Sequence, residues 1–383
     1  MDFTPTEEQA AARDLAARIF GDLSTPERLT AAGTDSDPEL WKALCAAGLV
    51  GAVEELGLLG LVLLLEEQGR TTAQVPFAST CVYGLLAVAA HGSPEQRERL
   101  LPGIGDGSVV VCGAFPAQGG VRGTVTGGEQ ASAQGELTGT VPVVPWLRDA
   151  THVLVADDRR ELWLTPVAEA ARVEPVELTA PWSAGRLTLD GTPAERLGAK
   201  GAHLGAAGVH LGDQGDQGDQ GDQLPSRPPT PSPYTDVLAT ARTAFAGLQA
   251  GVCAGSLARA VVHVNTREQF GRPLATRQAV QLRAADAHMD IEAIRVTAYE
   301  AAWRRDAGLP YATHALTAAW WASEAGLRVV HTGQHLHGGA GADLDHPVHR
   351  HFLWGRQLDA YLGCGGEVLQ ELGELIVSEE VQP

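Results

Sequence analysis

A short segment between two helical stretches carries residue types suited to binding a large anion. It combines a fixed positive charge, amide groups and an aromatic ring, supplied by Arg267, Gln269, Phe270 and Gln278. Gly271 and Pro273 interrupt the helical pattern there, which leaves backbone N–H groups without helical partners. Because a guanidinium beside free N–H groups at a helix end favours phosphate, the segment predicts a diphosphate site.

A second stretch, residues 334–341, ends in closely spaced glycines. It contains Gln334 and the pair Gly338-Gly339, and the sequence Asp345-His346-Pro347-Val348 follows it. Since glycine has no side chain, such a loop lets the backbone come close to a ligand.

The first segment resembles the R-x-Q-F-G signature of the acyl-CoA dehydrogenase family, and the second resembles its Q-x-x-G-G-x-G loop. The resemblance implies FAD as cofactor and an acyl-CoA thioester as substrate. It also implies that residues of this chain hold the ADP half of an FAD shared with a neighbouring subunit. The residues that hold the ADP half are Arg267, Gln269, Phe270 and Gln278. The neighbouring side of the same site is formed by Gln334, Gly338 and Gly339.

The same resemblance locates the catalytic base, and this chain lacks it. In the family a glutamate takes the proton alpha to the thioester carbonyl. The matching positions hold Leu362, or Ala241 in relatives that place the base on the long helix, and neither can accept a proton. We therefore predict no catalytic residue here, with Glu367 as the remaining candidate for a relocated base. Arg242 matches a family arginine near the active site, and a helix-surface charge is an equal alternative.

The flavin-ring side also departs from the family. Where relatives carry a T-E-P triplet that meets the flavin ring, this chain reads Ala114 to Gly120. The nearest match to the family's flavin-packing tryptophan is Trp146, for which a buried core position is the alternative.

This pattern is similar to that of heterotetrameric acyl-CoA dehydrogenases of actinobacterial steroid and cholesterol side-chain catabolism, built from two copies each of two paralogues. The resemblance implies that this chain is the silent paralogue and that its partner supplies the glutamate. Two alternatives remain: a self-sufficient homotetramer that uses Glu367, and a flavin-free scaffold of the same fold.

Composition limits the other possibilities. A formal charge of −19 argues against nucleic acid or an anionic membrane as partner. Five scattered cysteines favour a reducing compartment. The N-terminus has no signal-peptide pattern, and the apolar run Leu56 to Leu65 is too short to cross a bilayer, so we expect a cytoplasmic protein. Six histidines cluster late in the chain, but without a regularly spaced acidic ligand we expect no metal. They are His331, His335, His337, His346, His349 and His351.

The patterning predicts an α+β multidomain fold. We expect an N-terminal helical domain over residues 1–106, a β-barrel over 107–208, a Gly-Asp-Gln and proline-rich linker over 209–233, and a C-terminal four-helix bundle over 234–383. The last helix is expected to span Asp359 to Val377.

Overall fold

The computed structural model describes residues 2–117, 119–125, 134–198 and 232–380. The predicted linker lies outside these residues except for its last two positions. The predicted α+β architecture, with helices at both ends and a sheet domain between them, is confirmed.

The N-terminal domain is helical. Thr6 begins the first helix with a capping box, in which its hydroxyl accepts from the Gln9 backbone N–H and the Gln9 side chain accepts from the Thr6 N–H. The helices are α1 Glu7–Leu23, α2 Pro26–Ala32, α3 Pro38–Ala46, α4 Leu49–Thr71, α5 Phe77–Ser79, α6 Ala87–His91 and α7 Pro94–Gly105, with a π-helical segment Thr80–Leu86 joining α5 to α6.

The middle domain is a seven-stranded sheet with the order β1-β4-β5-β7-β3-β2, and β6 pairs with β7. The long strands β3 and β7 alternate between buried and exposed residues, which is the pattern of a sheet with one face on a core. The strands are β1 Val111–Ala114, β2 Arg122–Val125, β3 Gln134–Val144, β4 His152–Ala156, β5 Leu162–Pro166, β6 Arg172–Pro175 and β7 Gly185–Leu197. β1 and β4 run parallel, and the other pairs are antiparallel.

The C-terminal domain is helical, as predicted, with five helices among the described residues instead of four. They are α8 Pro233–Thr266, α9 Gln278–Asp306, α10 Ala312–His337, α11 Pro347–Ala360 and α12 Gly365–Glu380. The expected last helix over Asp359 to Val377 is wrong, because α11 ends at Ala360 and a turn with positive φ at Leu362 (69°) and Gly363 (108°) separates it from α12.

Helix α8 is the central element of the C-terminal domain and is buried along most of its length. By length and composition it is apolar enough to cross a bilayer, as is the bent pair of α3 and α4 if taken as one span. However, 72% of the apolar window of α8 is buried inside the protein. This burial is typical of a core helix.

Helix α4 is bent at Gly57, and the bend is capped from another domain. Gly57 has φ 72° and ψ −171°, and an added Cβ would lie 2.6 Å from the Asp306 Oδ2 atom. The Asp306 carboxylate accepts hydrogen bonds from the backbone N–H groups of Leu58 (2.8 Å) and Leu59 (2.9 Å). The last residue of α9 thus caps the second half of α4 and couples the two helical domains.

Replacing Asp306 with alanine should lower the free energy of unfolding by about 1 kcal/mol, because two N–H groups lose their acceptor. Urea denaturation monitored by circular dichroism measures this change. The matched control is Asp286→Ala, which removes an exposed aspartate from the same helix. Equal midpoints for the two variants would show that the cap contributes nothing measurable.

Candidate functional site

The predicted diphosphate segment forms a compact exposed turn at the end of α8. Glu268–Gln269 pairs with Arg272–Pro273 as a two-stranded ribbon, and Phe270 (φ 57°) and Gly271 (φ 76°) make the turn between them. The Leu274 N–H donates to the Arg267 carbonyl at 2.9 Å, which closes the base of the ribbon. The ribbon therefore holds a short, hydrogen-bonded shape.

The side chains of this ribbon face outward. Phe270 is 91% exposed, and the Arg277 guanidinium lies 5.3 Å from its ring centroid. Arg267 is exposed and has no ion-pair partner among the described residues. The turn thus presents an exposed aromatic face and an exposed arginine, and both groups can contact another molecule.

The two sequence motifs are brought together by packing. Ala260 and Val264 of α8 and Leu336 of α10 form a small apolar cluster, and Leu274 and Val280 pack against it. This cluster joins the ribbon to the loop after α10. Gln278, the first residue of α9, is exposed beside the ribbon, and no side chain caps that helix end.

The glycine loop continues α10 as a 3-10 turn, Gly338–Ala342, in which Gly338 has φ 64°. The Gln334 side-chain amide donates to the Gly341 carbonyl at 3.3 Å. Gln334 stands four residues before Gly338, whereas the exposed His335 has the three-residue spacing of the family pattern. Gln334 therefore supports the loop from within, and His335 presents its side chain to the exterior.

The position of the missing base is built into the core. Leu362 is 3% exposed, and its carbonyl accepts from the Arg242 Nε atom at 3.3 Å. Arg242 also makes a two-pronged ion pair with Glu371, at 2.8 and 2.7 Å. Because Arg242 is 7% exposed, the alternative of a helix-surface charge is wrong. The arginine ties α8 to α12 and to the turn before it.

The candidate relocated base has a structural contact. Glu367 lies in the first turn of α12, and its Oε2 atom accepts the Cys364 backbone N–H at 3.0 Å. An acidic group in this position stabilises a helix N-terminus. Its side chain is exposed, whereas Leu362 is buried.

A continuous aromatic cluster lies at the junction of the three domains. Its rings contact one another in stacked or edge-on geometry, with centroid separations from 4.3 to 6.4 Å. All members except Tyr361 are at most 6% exposed. The aromatic cluster comprises Tyr83, Phe115, Trp146, Trp182, Tyr234, Phe245, Trp354 and Tyr361.

The aromatic cluster fills the segments that the resemblance assigned to flavin ring, acyl chain and base. Phe115 comes from the stretch that replaces the threonine triplet, Trp146 from the candidate flavin-packing strand, and Tyr361 from the turn of the missing glutamate. The Tyr83 and Tyr361 hydroxyls meet at 2.8 Å, and burial raises the pKa of both phenols. Trp146 is a core tryptophan with 0% exposure.

This side of the site therefore does not fit a flavin ring. The rings leave the indole N–H groups of Trp146, Trp182 and Trp354 buried with no acceptor among the described residues. The ADP-side residues do fit the cofactor's other half, since Arg267 and the open end of α9 offer a charge and free N–H groups to a diphosphate.

The histidines form no metal site within the described residues, where no group of three or more possible ligands is found. His351 is in the core between the carbonyls of Arg70 (3.0 Å) and Pro347 (3.1 Å), and burial lowers its pKa to about 4. His331 packs edge-on against Phe352 at 5.0 Å.

Helical domains at both ends and a sheet domain between them frame the exposed turn that is predicted to bind a nucleotide, and sequence comparison identifies the family. Residues 6–108 match the profile of the acyl-CoA dehydrogenase N-terminal domain, and residues 234–371 match that of the C-terminal domain. The chain belongs to the acyl-CoA dehydrogenase family, which oxidises CH–CH bonds of acyl-CoA thioesters. FAD is the cofactor of this family, as expected from the sequence.

Three relatives are similar over nearly the whole chain. Acyl-CoA dehydrogenase FadE27 of Mycobacterium tuberculosis is 32% identical, with 97% of this chain and 98% of that protein aligned. A variant of the Tcur3481–Tcur3483 steroid ACAD has a chain that is 38% identical with a TM-score of 0.83, covering 98% of this chain and 99% of that chain. The ChsE4–ChsE5 complex from Mycobacterium tuberculosis has one that is 28% identical with a TM-score of 0.83 and the same coverage.

The ADP-side residues and the absence of a catalytic base stay predictions of the sequence, and sequence reasoning missed most of the aromatic cluster. Tyr83, Trp182, Phe245 and Trp354 carried no motif, and their contacts span up to 278 positions of sequence. Phe115, in the stretch that replaces the polar triplet, and Trp146, the candidate flavin-packing tryptophan, did have a local signal in the sequence.

Proposed function

We propose that this chain is the non-catalytic subunit of a heteromeric acyl-CoA dehydrogenase. It holds the ADP half of an FAD. A paralogous partner provides the pocket for the flavin ring and the catalytic base. The observation that carries this proposal is the division within one chain: the ADP-side turn is exposed and unpartnered, while the aromatic cluster occupies the ring-side segments.

On the ADP side, Arg267 supplies a fixed charge for the diphosphate, and Gln269 and Gln278 supply amide donors. Phe270 offers a flat face to adenosine. Gln334, Gly338 and Gly339 form the neighbouring wall, where Gln334 supports the loop and the glycines allow close approach.

On the ring side, this chain contributes no proton acceptor. Leu362 occupies the base position, and Arg242 is neutralised by Glu371 in place of meeting a substrate. When bound, FAD accepts a hydride from the beta carbon of the thioester. The alpha proton therefore has to be taken by a carboxylate of the partner.

The assembly and substrate follow from the relatives. Two of the similar structures are named as complexes of two different chains, and one is named a steroid ACAD. We therefore assign two copies of each paralogue to the particle and a steroid side-chain CoA thioester as substrate. A cytoplasmic location fits the five free cysteines.

Co-expression with the paralogous chain should yield a complex with one flavin per unlike pair. The reason is that only the site with the partner's ring-side pocket and this chain's ADP-side residues is complete. Flavin absorbance, compared with protein concentration after gel filtration, measures the ratio. Two flavins per pair, or a yellow and active preparation of this chain alone, would contradict the proposal.

Replacing Arg267 with alanine should weaken FAD retention by the complex by about 10- to 100-fold, the effect of losing charge-assisted hydrogen bonds to a diphosphate. Fluorescence of released flavin upon dilution reports this affinity. Arg186→Ala, which removes an exposed arginine from β7, is the control on this chain. Replacing the matching arginine of the partner should have little effect on FAD retention. That arginine would reach toward the ring side of this chain, where the aromatic cluster leaves no flavin to hold. Loss of flavin from that variant alone would assign the ADP contact to the other chain.

Replacing Glu367 with glutamine should leave kcat of the complex unchanged within about twofold, because this carboxylate caps α12 and takes no proton from substrate. Glu374→Gln on the same helix is the matched control. A fall in kcat of about 100-fold or more, seen for Glu367 only, would identify it as a relocated base and favour the self-sufficient enzyme.

A further inference from the structure

A cavity of about 480 Å³ that is open to solvent lies beside the end of α8; its lining is mostly apolar, and basic side chains supply most of the polar part. The cavity is bounded by α8, by the last residue of α10 and by the start of α11. None of the described residues that line it is acidic, in a chain whose formal charge is −19. We call it the histidine cavity; its polar and helix-end residues are Arg259, His263, Thr266, His337, His346 and Pro347.

Three imidazoles lie next to one another in this cavity, one pair tilted and the other edge-on. His263 and His337 have ring centroids 4.6 Å apart, and His337 and His346 are 4.8 Å apart. His337 is 6% exposed, and its Nδ1 atom donates to the Gly333 carbonyl at 2.7 Å. Its Nε2 atom has no hydrogen-bond partner among the described residues. A buried ring with one free nitrogen is thus available to a ligand.

The remaining groups point to the same ligand chemistry. The His346 Nδ1 atom accepts from the Val348 N–H at 3.2 Å, so its Nε2 carries the proton and is a donor. Pro347 is the first residue of the 14-residue helix α11, whose N-terminus therefore borders the cavity. Arg259 makes no ion pair with a described carboxylate. The Arg259 cation, the imidazole donor of His346 and the positive end of the α11 dipole together favour a phosphate group.

We propose that the histidine cavity binds a phosphate ester and that this binding strengthens as the pH falls. This inference rests on the proposed function in its choice of ligands, which are FAD and CoA. Both carry phosphate ester groups, in FAD as a diphosphate and in CoA also as a 3′-phosphate. The site adjoins the ADP-side residues, because Thr266 and His337 stand next in sequence to Arg267 and Gly338, but the exposed turn itself contributes none of its lining residues.

The direction of the pH dependence follows from the charges around the rings. Burial lowers the pKa of His263, and His337, His346 and Arg267 lower it further. Burial also lowers the pKa of His346, as do His337 and Arg259, while Asp343 acts in the opposite direction.

A bound anion attracts the protonated, positively charged form of an imidazole and therefore raises the pKa of the rings that it contacts. A ligand that raises a pKa binds more tightly as the pH falls toward that pKa and gains nothing at a pH well above it. The His263 ring makes no hydrogen bond to a described residue, so it can take up a proton without losing a contact. We assign the pH dependence to this ring.

Calorimetric titration of the full-length chain with inorganic pyrophosphate at about pH 8 and about pH 6 tests the inference. We expect affinity to rise by about tenfold or more at the lower pH. His263→Asn should remove much of this rise, and Arg259→Gln should weaken binding at both pH values. His288→Asn, which alters an exposed histidine of α9, should behave as the unmodified chain. Equal affinity at both pH values, or equal binding by all variants, would overturn the proposal.

The same titration with nucleotides distinguishes the sources of the phosphate. Binding of ADP with the same pH dependence supports the diphosphate of FAD, whereas CoA binding more tightly than dephospho-CoA supports the 3′-phosphate of CoA. Failure of both nucleotides to compete with pyrophosphate would overturn the phosphate-ester assignment. Flavin content of the complex, measured for the His263→Asn variant, separates the two proposals, because one flavin per unlike pair can persist when the cavity binds nothing.

Discussion

The close packing of α4 against α8 is the constraint on which the rest of the structure depends. A Cβ on Gly251 would lie 2.1 Å from the Glu66 carbonyl oxygen, and one on Gly69 would lie 2.2 Å from the Leu248 oxygen. The backbones of the two helices are therefore in direct contact, and any larger residue at these positions would separate them. Since α8 carries both the buried base-side residues and the ADP-side turn, this contact fixes them relative to the N-terminal domain.

The base-side residues and the ADP-side turn are located toward opposite ends of α8. Arg242 and Phe245 belong to the filled, base-side region, and Arg267 ends the helix at the exposed turn. At about 1.5 Å rise per residue, the two arginines are roughly 37 Å apart along the axis. Substitutions over such a distance act nearly independently. This separation gives a physical reason why the exposed turn that we propose for a diphosphate can stay ordered whatever residues fill the base-side region.

The sequence predicted the parts of the site that are local and missed the parts that depend on distant contacts. The turn around Phe270 was predictable because glycine, proline and a helix end lie within a few residues of one another. The burial of Arg242 was undecided because its partner, Glu371, is 129 positions away. The break between α11 and α12 was missed because a leucine at φ 69° gives no sequence signal, unlike the glycine beside it. The aromatic cluster was missed for the same reason as Arg242, since its rings come from all three domains.

The aromatic cluster is what packing requires if the flavin ring is absent from this chain. An unfilled cavity of flavin size would be costly, because each cubic ångström of void destabilises a core by about 24 cal/mol. Flat side chains fill such a space well, since each buries about 150–250 Å² and stacks on its neighbours. The filling is imperfect, because three indole N–H groups are left without a described acceptor, at about 1–3 kcal/mol each. Together these donors cost about 3–9 kcal/mol, so the apolar area that the rings bury has to offset that cost if the site is to stay closed.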